Sequence, residues 1–332
     1  MSKKWWLVAA ASGVLALSVA ACGDDDDSGS DSGGGGEAVS GTINIDGSST
    51  VFPFAQRAAE LFNEENPDVS INVGQSGTGG GFEKFCAGET DISDASRPIE
   101  EEEIALCEKN GIAYEELQVA SDGIAVVTNP ALEVSCLSTD QLKQLWNKGS
   151  AVANLSELGN DADSGEALPD GELSLAGPGT DSGTFDFFTE TINGEEGVSR
   201  EDYQPSEDDN VIVQTVSGDE GGLGYFGFSY YEQNADALNL VSVDAGEGCV
   251  TPSIDTIQDE SYTLSRPLSM YPSDAAAAKP EVLAFLQYIE DNYEQIATDA
   301  LIVPMPSDAA EESATKLDAI SGGGSGGTES TE

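Results

Sequence analysis

Three short stretches rich in glycine and hydroxyl residues, "DGSSTVF" from Asp46, "GQSGTGGGF" from Gly74 and "GPGTDSGTF" from Gly177, recur in one kind of place. Each follows a strand-like run and leads into a helix-like one. In "GTINIDG" Ile43 and Ile45 alternate as in a strand, and "FPFAQRAAELFNEENPD" then puts Phe54, Ala58, Leu61 and Phe62 on one helix face until Pro67 ends it. "VSINV" is a second strand, "FEKFCAG" a short helix after a glycine-rich turn, and "TDISDASRPI" a strand and loop. "EEEIALCEKNG" carries acids in its first turn and a glycine past its end, both helix signals, and "GIAVVTNP" is a buried strand. Strands alternating with helices predict an α/β fold with a parallel sheet. In such sheets ligands lie at the carboxyl ends of strands, where loops meet helix N-termini.

After Pro130 the pattern moves to a second domain. "LSTDQLKQLWNKG" offers Ser138 and Thr139 as caps ahead of Leu142, Leu145 and Trp146, "ELSLAG" is a strand, and "SGTFDFFTETI" the helix after it. "YTLSRPLSMYP" reads as a returning strand and "EVLAFLQYIEDNYEQI" as a long amphipathic helix.

A helix N-terminus presents unpaired N–H groups and the positive end of the helix dipole. Glycines admit a close approach, and Ser or Thr hydroxyls add short donors, so three converging loops suit a tetrahedral oxyanion. The same residues also serve as helix caps and tight turns. No Gly-Lys-Ser or Gly-Lys-Thr occurs, which excludes a nucleotide P-loop. "GQSGT" fails as a nucleophile elbow, because Thr78 stands where the second glycine belongs.

The chain holds no histidine, which excludes Ser-His-Asp and Cys-His catalysis and any histidine-ligated metal. Its 62 acidic residues against 12 basic ones argue against nucleic acid, which is bound through clusters of Lys and Arg. An anion seat in so acidic a chain is physically consistent. Fixed donors act within a few ångströms, whereas surface carboxylates are screened beyond about 8 Å at physiological salt.

Lys3 and Lys4 followed by "WWLVAAASGVLALSVAA" have the anatomy of an export signal over residues 1–21, and "VAAC" resembles a bacterial lipobox with Cys22 as the lipid-bearing residue. Residues 22–40, "CGDDDDSGSDSGGGGEAVS", read as a flexible tether, and 321–332 as a flexible tail. The aspartates of the tether lack calcium-loop spacing. Cys86, Cys107, Cys136 and Cys249 remain, an even number that suggests two disulfides in an exported protein. Of three connectivities we favour Cys86–Cys107, close in sequence, and Cys136–Cys249, which closes a long insertion.

"DGSSTVFPF", "GQSGTGGGFEKFCAGETDISDASRPI", "GPGTDSGTFDFFTE", "GGLGYFGFSYY" and "YTLSRPL" together resemble the phosphate-binding lipoproteins of bacterial Pst-type ABC importers, in that family's order. The resemblance implies a type II periplasmic-binding-protein fold, two α/β lobes joined by two crossing strands near 119–127 and 260–268. Lobe I would take residues 41–125 and 265–320, and lobe II residues 126–264. It implies a monomer outside the cytoplasmic membrane or in the periplasm, anchored by lipid on Cys22. Such a protein captures inorganic phosphate by lobe closure and delivers it to a membrane permease, with no catalysis, cofactor or metal. The ligand set carried over is Ser49, Thr50 and Val51 (the contacts falling on the first two or one place later), Thr78, and Ser182, Gly183 and Thr184.

Two departures matter. The family carries an arginine shortly before the Ser-Gly-Thr, absent from "GPGTD", and an acid where Ser96 stands. Beyond the signal only Arg57, Arg97, Arg200 and Arg266 are available. Arg97 beside Ser96 is the expected ligand, Arg57 a solvated helix residue, Arg200 part of an acidic loop, and Arg266 a structural residue of the return strand. The acceptor for a protonated anion is expected at Asp181, with Asp94 second. Sulfate, molybdate or a phosphorylated small molecule is the alternative ligand on the same fold, a phosphatase-like enzyme or a surface adhesin the alternative class.

Overall fold

The computed structural model describes residues 39–322. The signal, Cys22, most of the tether and residues 323–332 of the tail lie outside the described residues. From the N-terminal side the chain runs β1 (Gly41–Gly47), α1 (Phe52–Glu65), β2 (Val69–Val73), α2 (Thr78–Cys86), β3 (Ile92–Ala95) and α3 (Glu101–Asn110). The long strand β4 (Leu117–Thr128) then leads to β5 (Cys136–Ser138), α4 (Thr139–Trp146), β6 (Ser174–Pro178) and α5 (Gly183–Phe188). Next come β7 (Gln204–Ser206), α6 (Asp209–Gly218), β8 (Gly222–Gly227), α7 (Phe228–Asn234), β9 (Asn239–Asp244), β10 (Cys249–Val250) and α8 (Ile254–Gln258). The return is made by β11 (Ser265–Pro272), α9 (Asp274–Ala277), α10 (Pro280–Asp299), β12 (Val303–Pro304) and α11 (Ser307–Gly322).

The strand order is β2-β1-β3-β11-β4-β8-β6-β7. β1 pairs parallel with β2 and β3, and β6 parallel with β7 and β8, as alternating strands and helices require. Between these two parallel sets lie β11 and β4, antiparallel to each other. The first half of β4 pairs with β11, its second half with β8 and β9, so the strand itself passes from one lobe to the other. The sheet is therefore mixed, and its antiparallel centre is the connection between lobes. The second connecting strand starts at Ser265, because residues 259–264 form turns rather than the strand expected from 260.

Each lobe has its own apolar core. Ile43, Ile45, Phe54, Phe62, Phe285 and Ile289 are buried on the first side, and Trp146, Phe188, Tyr225, Phe226 and Val241 on the second. Phe62 meets Phe285 edge-on at 5.4 Å, and Trp146 meets Tyr225 at 4.9 Å, geometries that add to simple burial. Both disulfides form as expected, Cys86–Cys107 tying α2 to α3 and Cys136–Cys249 tying β5 to β10. Cross-links over 21 and 113 residues restrict the unfolded chain, each by about 3–5 kcal/mol.

Two details depart from the sequence reading. "TGGG" is the first turn of α2 rather than a loop. Gly81 is needed there for contact, since a Cβ would lie 2.5 Å from the Gly47 Cα. The C-terminal segment forms α11, which reaches Gly322, past the Ser321 expected to begin the tail. Arg200 lies in the acidic loop expected of it, yet it is buried there, bonding Asp202 at 2.6 Å and donating to the carbonyls of Leu145 and Val152. Among the described residues no helix is long and apolar enough to cross a membrane.

Candidate functional site

The three glycine-hydroxyl loops do converge. The loop after β1 enters α1 without any side-chain cap, and Pro53, which has no N–H, stands in the first turn. α2 starts from Gly77, whose φ of 79° is the left-handed conformation that favours glycine, and again no side chain caps it. Donors that a cap would have consumed are thus left for something else. At α5 Ser182 does act as the cap, accepting from the Thr184 N–H at 3.2 Å.

A cavity of about 290 Å³ is lined by Ser49 and Thr50 from the first loop, Thr78 and its neighbouring glycines from the second, Ser96 and Arg97 after β3, and Gly183 from the third. Asp186, Phe187, Glu190, Glu196 and Arg266 complete it. Thr78 and Ser96 hydroxyls lie 3.1 Å apart and lock the second loop to the end of β3. Larger hollows of about 500 and about 720 Å³ elsewhere in lobe II do not bring these loops together. The donors of Thr78 and Ser96 and the guanidinium of Arg266, not size, single out the smaller cavity.

Six of the expected residues therefore share one cavity: Ser49, Thr50, Thr78, Ser96, Arg97 and Gly183. Val51 is fully buried in the first core, so its side chain does not reach the cavity. Asp181, Ser182 and Thr184 line an adjoining cavity of about 410 Å³, which shares Ser49, Thr50 and Gly183 with the first. Asp181 is exposed there, and its own N–H is directed to Glu207.

The arginines are arranged differently from the sequence reading. Arg97 is held by Glu103 through two bonds of 2.8 and 2.9 Å and approached by Glu100 at 3.3 Å. Its charge is already answered. Arg266, read from the sequence as structural, has its guanidinium at the centre of the cleft with only 11% of the side chain exposed. It donates to Asp122 at 3.2 Å, to Thr50 Oγ1 at 2.8 Å and to the Gly183 carbonyl at 3.0 Å, and lies 4.1 Å over the Phe187 ring. Burial draws its pKa down from the usual guanidinium value, and Asp122 works against that shift. Arg57 is a helix-surface residue as expected, though paired with Asp299 at 2.7 Å.

Two carboxyl groups stand out. Asp186, in the first turn of α5, has its pKa pushed up to about 6, first by burial and then by Glu196, with Arg266 opposing. Asp94 on β3 is fully buried, and among the described residues neither of its carboxylate oxygens has a hydrogen-bond partner. Burial, followed by the nearby Asp46, holds its pKa well above the ordinary range. Sequence reasoning passed over Arg266 and Asp186. The scarcity of arginine in this chain was the signal that should have kept Arg266 in view.

Two lobes strung on a pair of antiparallel strands, with three glycine-hydroxyl loops facing one cleft, define a type II periplasmic-binding-protein fold. The chain belongs to the PBP superfamily, whose domain model matches residues 32–292, and within it to the family of the SphX and PstS phosphate-binding proteins. It is 41% identical over 271 residues to protein SphX of Synechococcus elongatus, spanning 80% of this chain and 78% of that one. With the phosphate-binding protein PstS of Staphylococcus saprophyticus it shares 38% identity over 285 residues, 85% and 86% of the two chains. The crystal structure of a possible phosphate-binding protein from Planctomyces limnophilus superposes with a TM-score of 0.78 at 42% identity, covering 85% of this chain and 99% of that one.

Proposed function

We propose that this protein captures inorganic phosphate in the cleft by closing its lobes, then delivers the ion to the membrane permease of an ABC importer. It performs no chemistry on the ion. The observation that carries this reading is the buried guanidinium of Arg266, set among the three loops and hydrogen-bonded to a single carboxylate, that of Asp122. The ligand set is then Ser49, Thr50, Val51, Thr78, Ser96, Gly183 and Arg266. Ser182 and Thr184 hold the third loop in shape. Arg97 and Asp181 take the rim rather than the first contacts.

The neutral donors and one cation fit a small, doubly charged, tetrahedral ion. Charge-assisted bonds contribute about 1.5–3 kcal/mol each, and a handful, less the costs of desolvation and closure, gives micromolar binding or tighter. Asp186 supplies an acceptor that a protonated phosphate satisfies and a sulfate does not. The family's working site is outside the cytoplasm, and the lipobox at Cys22 gives this chain a means of staying there as a monomer beside its permease. Equilibrium dialysis of the phosphate-free protein against labelled phosphate is the test. Retention of phosphate in a hundredfold excess of sulfate is expected, and displacement by that sulfate would refute the specificity.

A further inference from the structure

The guanidinium of Arg266 joins three parts of the molecule at once. It sits on β11, and Asp122 on β4, the other strand between the lobes, accepts its Nε–H at 3.2 Å. Its Nη2 donates to Thr50 Oγ1 at the start of α1 and to the Gly183 carbonyl at the start of α5. Those two helix starts are in contact, for a Cβ on Gly183 would lie 2.0 Å from Thr50 Oγ1 and 2.8 Å from the Thr50 nitrogen. Phe187, also on α5, packs on the flat face of the same guanidinium.

On the phosphate reading of this cleft, we propose that Arg266 is a closure latch, positioned by Asp122, whose bonds to Thr50 and Gly183 tie anion capture to lobe closure. Opening the lobes separates Thr50 from Gly183 and breaks the bridge between them. Arg266 stays on the hinge with Asp122, and its freed donors face the incoming anion. Closure then restores the bridge around the ligand. Lysine cannot replace it, because a point ammonium lacks the planar fork that serves Asp122, Thr50 and Gly183 together.

Amide hydrogen exchange on the purified protein, with and without inorganic phosphate, tests the latch. In the wild type phosphate should slow exchange over residues 50–56 and 183–188. Arg266→Lys should weaken phosphate about a hundredfold, the loss expected when a fork of charge-assisted bonds becomes one point contact. At saturating phosphate its residues 183–188 should still exchange about tenfold faster than in the wild type, a gap that an opening cost of about 1.4 kcal/mol produces.

Gly183→Ala keeps every loop N–H and Arg266 but forces the helix starts apart, so it should lose protection in the same segments. The double variant should be no worse than the worse single one, since both remove one contact. Full protection in saturated Arg266→Lys overturns the latch. If Arg266→Lys does not fold, Asp122→Asn takes its place, with faster exchange at 183–188 expected and wild-type protection overturning the proposal. If the wild type binds no phosphate, the phosphate reading fails by itself. The latch is then judged without ligand: faster exchange at 183–188 in the variant supports it, and equal exchange refutes it.

Discussion

Arg97 and Arg266 reach one cleft from different supports, and they differ in what already holds them. Arg97 leaves the loop after β3 and meets Glu103 and Glu100 of the neighbouring helical segment, so its charge is spent locally. Arg266 rises from the strand between the lobes and meets one carboxylate, two neutral oxygens within 3.0 Å and an aromatic face. In a chain with 62 acidic and 12 basic residues, a cation near the surface finds carboxylates by default. Only one shielded by apolar and backbone groups stays available to a ligand. Nearness in sequence to a glycine-hydroxyl motif is a weaker guide than the supply of acids around the cation.

The comparison is broken most directly by removing each arginine. Arg266→Ala should lower phosphate affinity about a thousandfold, two to three charge-assisted bonds' worth, while Arg97→Ala should change it by less than about fivefold. Calorimetry on both variants gives the answer, and equal losses would abolish the distinction. Because removing Arg266 leaves Asp122 buried and unpaired, the same measurement on Arg266→Ala with Asp122→Asn separates binding from folding.

Asp186 sharpens the contrast, since it lies in the cavity that Arg266 serves. Its pKa of about 6 means that it gains charge as pH rises through that value, and sulfate should then be rejected more strongly. Asp186→Asn should raise sulfate affinity about tenfold at pH 7.5, the size of one close like-charge interaction. An unchanged sulfate affinity would remove Asp186 from the specificity.

Asp94 gives a prediction for stability rather than binding. Its folded pKa lies above the unfolded value of 3.8. Between those values the unfolded chain has lost the proton that the folded chain keeps, so stability falls as pH rises through that window. Asp94→Asn should make the dependence shallower above pH 4 by up to about 1.4 kcal/mol per pH unit. Denaturant melts at several pH values measure it, and an unaltered slope would mean that the group is as ionised in the folded chain as in the unfolded one.

The smallest expected effect is kinetic. With Glu190 and Glu196 lining the cleft and a formal net charge of −50 on the chain, an anion approaches against repulsion. Stopped-flow association should quicken about two- to threefold as salt is raised from low to physiological values. Slowing with salt would instead indicate steering by a positive cleft.

How much was legible in the sequence follows from the range of each interaction. Ile43 and Ile45 alternating, the face Phe54-Ala58-Leu61-Phe62 and the caps at Ser138 and Gly111 are local signals, and the elements they mark all formed. That Ser49, Thr50, Thr78 and Gly183 share one cavity was legible because loop chemistry is also local. The guanidinium assignment was not, because it depends on contacts such as Arg266 with Asp122, 144 residues away, and with Gly183, 83 away. Asp181 and Asp186 carry the same side chain five residues apart. Only the turn of α5 decides that the second faces the cleft and the first the adjoining cavity.

A crystal structure of the protein grown with inorganic phosphate would test the central claim most directly. Phosphate oxygens should lie within about 3 Å of the Arg266 guanidinium and of the Ser49–Val51 and Thr78 donors, with Arg97 still on Glu103. Phosphate seated on Arg97, or found outside the cleft while Arg266 remains on Asp122, Thr50 and Gly183, would contradict it.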